Sequence, residues 1–172
     1  MTTITQAETV PVTPDSRSFL LMRVQPALSG LMDCSLSTLA PIFAVILATH
    51  HPLTAFFTGA ATALGAGVSM AFSEGLSDTG DLIGRGSPVL RGAITGGGTF
   101  AGGIFHTLPF LIPGYGAAIT AAVIVVTTEL LTLAYLRHKF FQTSFARSFV
   151  AVAVGGAIIA SLSAGLGVLA AG

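Results

Sequence analysis

Five long apolar stretches, each ended by residues that a helix does not readily cross, constrain this chain more than any other feature. They run from Ala27 to Thr49, Thr54 to Ser77, Gly92 to Ile112, Ala117 to Leu136 and Ser148 to Leu169. The stops between them are His50-His51-Pro52, the charged loop Asp78 to Arg91, Pro113-Gly114 and Arg137-His138-Lys139. At a rise of about 1.5 Å per residue, a helix of about 20 residues matches a hydrocarbon layer about 30 Å thick, and buried helices of soluble domains are shorter. The pattern therefore predicts an all-α membrane protein with five transmembrane helices forming one unit over residues 27–172.

Composition excludes the main alternatives. Hydrophobic residues make up 52% of the chain and charged residues 8%, against roughly 25% charged in soluble domains, so no water-facing surface can be assembled. Five spans leave no room for a separate catalytic domain, and no enzyme activity is expected. The formal net charge is zero, and the basic residues do not cluster, which removes a nucleic-acid footprint. Cys34 is the only cysteine, so an intrachain disulfide framework is ruled out. Glycines such as Gly59, Gly65, Gly67, Gly96 to Gly98, Gly102 and Gly103 suit helices packed at short range inside a bilayer.

Residues 1–26 are polar and threonine-rich, with Pro11, Pro14, Glu8 and Asp15. They have no basic residue before Arg17 and no short apolar run with a small-residue cleavage site, so a cytoplasmic tail is expected rather than a secretory signal. Ser16 to Val24 (SRSFLLMRV) reads as a short interfacial helix or as a plain tether. The tail holds Arg17 and Arg23, the loop after span two Arg85 and Arg91, and the loop after span four Arg137, Lys139 and Arg147. The loops His50 to Leu53 and Pro113 to Gly116 and the C-terminal end hold no Lys or Arg. With an odd number of spans, all the basic residues fall on one side, which places the N-terminus in the cytoplasm and the C-terminus outside.

A carboxylate near mid-membrane opposes insertion by about 2.5 to 3.5 kcal/mol, which makes each one a default marker of an ion path. Asp33, Glu74, His106 and Glu129 are the ionisable residues inside the spans. By helical rise, Asp33 lies about 9 Å in from the cytoplasmic side, Glu74 about 6 Å and Glu129 about 10 Å, so three helices place carboxylates in one layer. His106 lies about 21 Å from that side. There it would relay protons or bond a backbone carbonyl freed by Pro109.

Met70, Glu74, Asp78 and Asp81 recur at helical spacings and line one face if the helix continues that far. Carboxylate oxygens alone would serve magnesium or calcium, whereas an added thioether biases the site towards Fe(II), Mn(II) or a softer ion such as Zn(II) or Co(II). Plainer readings stand beside these. A methionine in a membrane helix is ordinarily packing material, Asp78 and Asp81 lie in a glycine-containing loop where solvated acids are usual, and Glu129 could pair with a neighbouring helix near Arg137. Asp33 has no basic partner within the spans. Cys34 points about 100° away from Asp33, so the two do not face one ion.

Four stretches resemble the vacuolar iron transporter family, and in particular the membrane domain of bacterial membrane-bound ferritin-like proteins. They are GLMDCSLSTLAPIFA (Gly30 to Ala44), GAGVSMAFSEGLSD (Gly65 to Asp78), GRGSP followed by RGAITG (Gly84 to Gly96), and HTLPFLIP (His106 to Pro113). The resemblance covers residues 26–172 and has the same motif order and five-span, N-inside topology. It implies a homodimer in a bacterial inner membrane, with an ion path near the dimer interface, exporting Fe(II) and similar divalent ions such as Mn(II) from the cytoplasm in exchange for protons. The metal is then cargo and no prosthetic group is implied. Asp33, Met70 and Glu74 match positions that the family uses for metal passage, and Glu129 joins them as a metal residue from its depth. The chain departs from the family at Cys34, where glycine is usual. It also lacks the metal-binding insertion between spans two and three, and 26 residues stand in place of a ferritin-like domain. Those losses support a rival expectation, an accessory subunit that keeps the transporter fold within a larger membrane complex.

Overall fold

The computed structural model describes residues 18–77, 79, 85–141 and 143–171. Among them the regular structure is entirely helical. The long helices are α1 (Gln25–Ser37), α2 (Leu39–Thr49), α3 (Pro52–Gly75), α4 (Pro88–Thr107), α5 (Tyr115–Phe141) and α6 (Phe145–Ala171). A π-helical turn, Leu20–Val24, leads into α1 without a break, and a 3-10 turn, Leu108–Leu111, follows α4. Four helical stretches are long and apolar enough to cross a membrane: Leu20–Thr49, Pro52–Gly75, Tyr115–Phe141 and Phe145–Leu169. These are the features of an integral membrane protein.

The helix ends follow from local chemistry. Pro41 lacks the amide that would bond the Ser37 carbonyl, and α1 and α2 meet at Thr38, whose amide still reaches the Cys34 carbonyl at 3.1 Å. Helix α2 ends where His50 takes a left-handed conformation, φ 55°, and Pro52 opens α3 in the first turn, where a missing amide costs nothing. Pro88 opens α4 in the same way, and the Ser87 hydroxyl accepts from the Leu90 amide at 3.4 Å.

Helix α4 is the centre of the packing. Its buried positions, among them Arg91, Thr95, Thr99, His106 and Thr107, recur three and four residues apart, while Leu90, Phe100 and Phe105 are exposed. A soluble helix buries its apolar face; α4 buries its polar face and turns its apolar one outwards. Helix α1 covers one side of it, with Gly30 against the Thr95 backbone and Cys34 against Gly102, so the two helices run parallel. Helix α3 covers another side, with Gly67 against Gly96 and Ala63 against Gly103, and runs antiparallel. Thr99 Oγ1 lies 3.1 Å from the Gly30 carbonyl and 3.0 Å from the Thr95 carbonyl. A separate apolar core of Ile42, Ile46, Ala55, Phe110, Ala118 and Ala122 ties α2, α3 and α5 together.

Several boundaries differ from those read in the sequence. Residues 18–24 are helical and continue directly into α1, so they are not a plain tether. Arg91 is not a loop residue: with Pro88 as the first residue of α4, it lies buried in the first turn. Helix α3 stops at Gly75, so the stripe beginning at Met70 ends at Glu74, and Asp78 and Asp81 lie outside the described residues. Helix α5 continues to Phe141, beyond the expected stop at Leu136.

Candidate functional site

Glu129, in the middle of α5, is the point on which side chains from two other helices converge. From α1, the Ser35 hydroxyl approaches Glu129 Oε1 at 2.9 Å and the Cys34 thiol approaches the same oxygen at 3.7 Å. From the last turn of α4, His106 Nε2 meets Glu129 Oε2. The hydroxyl and the thiol each also lie 2.9 Å from the Leu31 carbonyl, and since each carries one proton, each chooses between that carbonyl and the carboxylate. One ligating atom each from Cys34, His106 and Glu129 lie within 4.8 Å of one another.

The surroundings keep this cluster from water. Cys34 is fully buried and His106 is 2% exposed, and His106 Nδ1 has no hydrogen-bond partner among the described residues. Glu129 is the member that reaches outwards. It lines a groove of about 440 Å³ together with Leu31, Gly102, Phe105, Thr128 and Leu136. A thiol, an imidazole and a carboxylate in such a place can share protons, or can hold a cation that arrives through the groove.

Glu74 has a different environment. Its Oε1 receives Arg85 Nη2 and Arg91 Nε, each at 2.9 Å, and Arg91 Nη1 binds the Arg85 and Gly86 carbonyls at 3.1 and 3.0 Å. Arg91 is fully buried. This clasp joins the end of α3 to the start of α4 and closes the chain between them. Met70, one turn earlier on α3, is half-buried. Asp33, half-buried on α1, projects away from the face that carries Cys34. The three carboxylates expected in one layer thus have three separate settings within one chain: Glu129 in the cluster, Glu74 in the arginine clasp and Asp33 about 100° around α1 from Cys34.

His106 and Glu129 were expected at different depths and are in contact. The extension of α5 to Phe141 puts Glu129 about 18 Å from that helix end, at the middle of the helix. Arg137, the neighbour considered for Glu129, instead directs Nη1 to Met32 Sδ at 3.3 Å. Sequence reasoning missed Cys34 and Ser35 as members of the site. The signal was present in the helical rotation that sets Cys34 away from Asp33; it shows that only one of the two faces Glu129, without saying which. Comparisons with protein-family profiles, curated proteins and solved structures give no match to this chain.

Proposed function

We propose that this protein is a secondary transporter that exports divalent transition-metal ions from the cytoplasm of a bacterium in exchange for protons. The observation that carries this reading is the convergence on Glu129 of ligating side chains from α1, α4 and α5, in a chain whose helices are long and apolar enough to cross a membrane. Buried ionisable groups opposed by insertion energetics are retained where an ion passes. Proton and metal compete for the same ligand atoms, so binding one releases the other. The resemblance to the vacuolar iron transporter family supports the same direction, a five-span N-inside topology, a homodimer and a cargo of Fe(II) or Mn(II). The outward apolar face of α4 supports counting it as a span, the third in chain order, beside the four other apolar stretches. In this scheme Asp33, Met70 and Glu74 belong to the route and His106 to proton relay, and the arginines on Glu74 hold it until a cation replaces them.

The second reading, an accessory subunit without turnover, draws on the Glu74 clasp, which fastens two helices as a structural ion pair does. Reconstitution of the chain alone into vesicles tests both. Transport predicts metal-dependent proton movement with Fe(II) or Mn(II). Absence of any metal or proton flux, with the protein correctly inserted and co-purifying with a membrane partner in fixed ratio, overturns the transport reading.

A further inference from the structure

We infer that Cys34, His106 and Glu129 form a three-ligand site for a divalent ion of borderline softness, with Zn(II) and Co(II) preferred to Mn(II) and Mg(II). The donors are one sulfur, one imidazole nitrogen and one carboxylate oxygen, all within 4.8 Å. Thiolate and imidazole favour zinc-like ions, whereas manganese and magnesium prefer all-oxygen surroundings. Ligand bonds of about 2.0 to 2.3 Å place neighbouring donors about 3 to 4 Å apart, so the sulfur has to draw in and the His106–Glu129 contact has to open. Each comes from a different helix, and small helix shifts supply such a movement.

Two further observations point to a cation. The first is that His106 Nε2 and Glu129 Oε2, both buried and facing each other, have no hydrogen-bond partner among the described residues, so a cation between them supplies what their lone pairs lack. With Nε2 on the metal the ring proton sits on Nδ1, and among the described residues no second group receives it, which leaves the bond weaker than in a buttressed site. The second is the groove beside Glu129, which leaves one side of the site accessible. Three protein ligands leave a fourth position open to water or an incoming group, unlike closed four-ligand structural sites. Binding breaks the Cys34 S–H bond, forms a sulfur–metal bond and sends the proton to solvent; no change of oxidation state is involved.

As a statement about cargo, this inference rests on the transport reading and narrows it, moving the preferred ions from Mn(II) to the softer Fe(II), Co(II) and Zn(II); as a statement about binding, it stands or falls separately. The test uses the full chain in detergent, reduced and metal-free, titrated with Co(II). Because Cys34 is the only cysteine, an intense near-ultraviolet thiolate-to-cobalt absorption can come from no other residue. That band is expected with one Co(II) bound per chain, Zn(II) removing it at equal concentration and Mn(II) and Mg(II) leaving it. Cys34→Ser is expected to abolish the band and, with helicity retained, to weaken Co(II) binding by at least about 10-fold, as loss of even an outer-sphere partner does. His106→Gln is expected to weaken it comparably. Co(II) binding to the wild-type chain without the band, or displacement by Mn(II) as readily as by Zn(II), overturns the site whatever the folding of the variants. The band in detergent without flux in vesicles would sink the transport reading and leave the site. Zn(II) or Co(II) flux unchanged in Cys34→Ser would do the reverse.

Discussion

The sulfur of Cys34 occupies the space that a side chain at residue 102 would need: a Cβ placed on Gly102 falls onto Cys34 Sγ. The thiol thereby sits between α1 and α4, held at the distance from which it reaches Glu129.

This contact gives a packing prediction. Gly102→Ala should destabilise the protein by about 1 to 3 kcal/mol, the usual cost of forcing a methyl group into a filled interior. Gly102→Ala combined with Cys34→Gly should recover most of that loss, because the two residues share one space. Unfolding in detergent, followed by helical circular dichroism, measures both; simple additivity would show that the two sites do not compete.

The clasp at the other end of α4 is expected to be asymmetric towards substitution. Arg91→Leu leaves Glu74 with one of its two arginine contacts and removes hydrogen bonds to the Arg85 and Gly86 carbonyls, at a cost of about 3 to 5 kcal/mol. Arg91→Lys should recover little, since one ammonium cannot reproduce the guanidinium fork. The Arg91→Leu, Glu74→Leu double variant should be less damaged than the sum of its parts. Equal stability of wild type and Arg91→Leu in an unfolding assay would refute the clasp.

On the transport reading, Asp33→Asn keeps shape, removes charge and should depress flux of every metal in vesicles. Glu74→Gln should do the same. Met70→Leu preserves apolar volume and should alter the ratio of softer to harder ions while sparing total flux. An Asp33→Asn protein that folds and transports at the wild-type rate removes Asp33 from the route, and equal loss for all metals in Met70→Leu assigns the thioether to packing.

Metal affinity should fall as pH falls. Cys34, His106 and Glu129 each bind metal through an atom that a proton also seeks, so acid favours the metal-free site and base the loaded one. Calorimetric Zn(II) titrations between about pH 5.5 and 7.5, in buffers of different ionisation enthalpy, report affinity and protons released together. An affinity that stays level across that range, with no proton released, contradicts binding through these atoms.

Apolar length and stop residues made the helices legible in the sequence, since both act locally. Pro52 marks the start of α3 for the same reason, whereas α4 ends at Thr107, five residues before the expected end at Ile112, and a 3-10 turn containing Pro109 takes its place before Pro113-Gly114. Helix α4 starts four residues before the expected Gly92, because Ser87-Pro88 at the end of the charged loop is a capping residue followed by a proline suited to the first helical turn. The site was harder to read. Glu129 and His106 stand out as ionisable residues in apolar surroundings, but their contact depends on where α5 ends and how α4 packs. Cys34 and Ser35 were hidden beside a more conspicuous acid. Which face of α1 turns inwards is decided by the close approach of Gly30 to Thr95 and of Cys34 to Gly102, and both contacts are long-range.

The inverted polarity of α4 also bears on how the protein is made. A segment carrying Arg91, Thr95, Thr99, His106 and Thr107 on its inner face gains little by leaving the translocation machinery for lipid alone. The two helices that cover that face, α1 and α3, are both synthesised before it. On the five-span reading, ribosomal order therefore supplies a ready slot, and a rearranged chain in which α4 emerged first should fail at insertion even though every contact of the finished fold remained encoded.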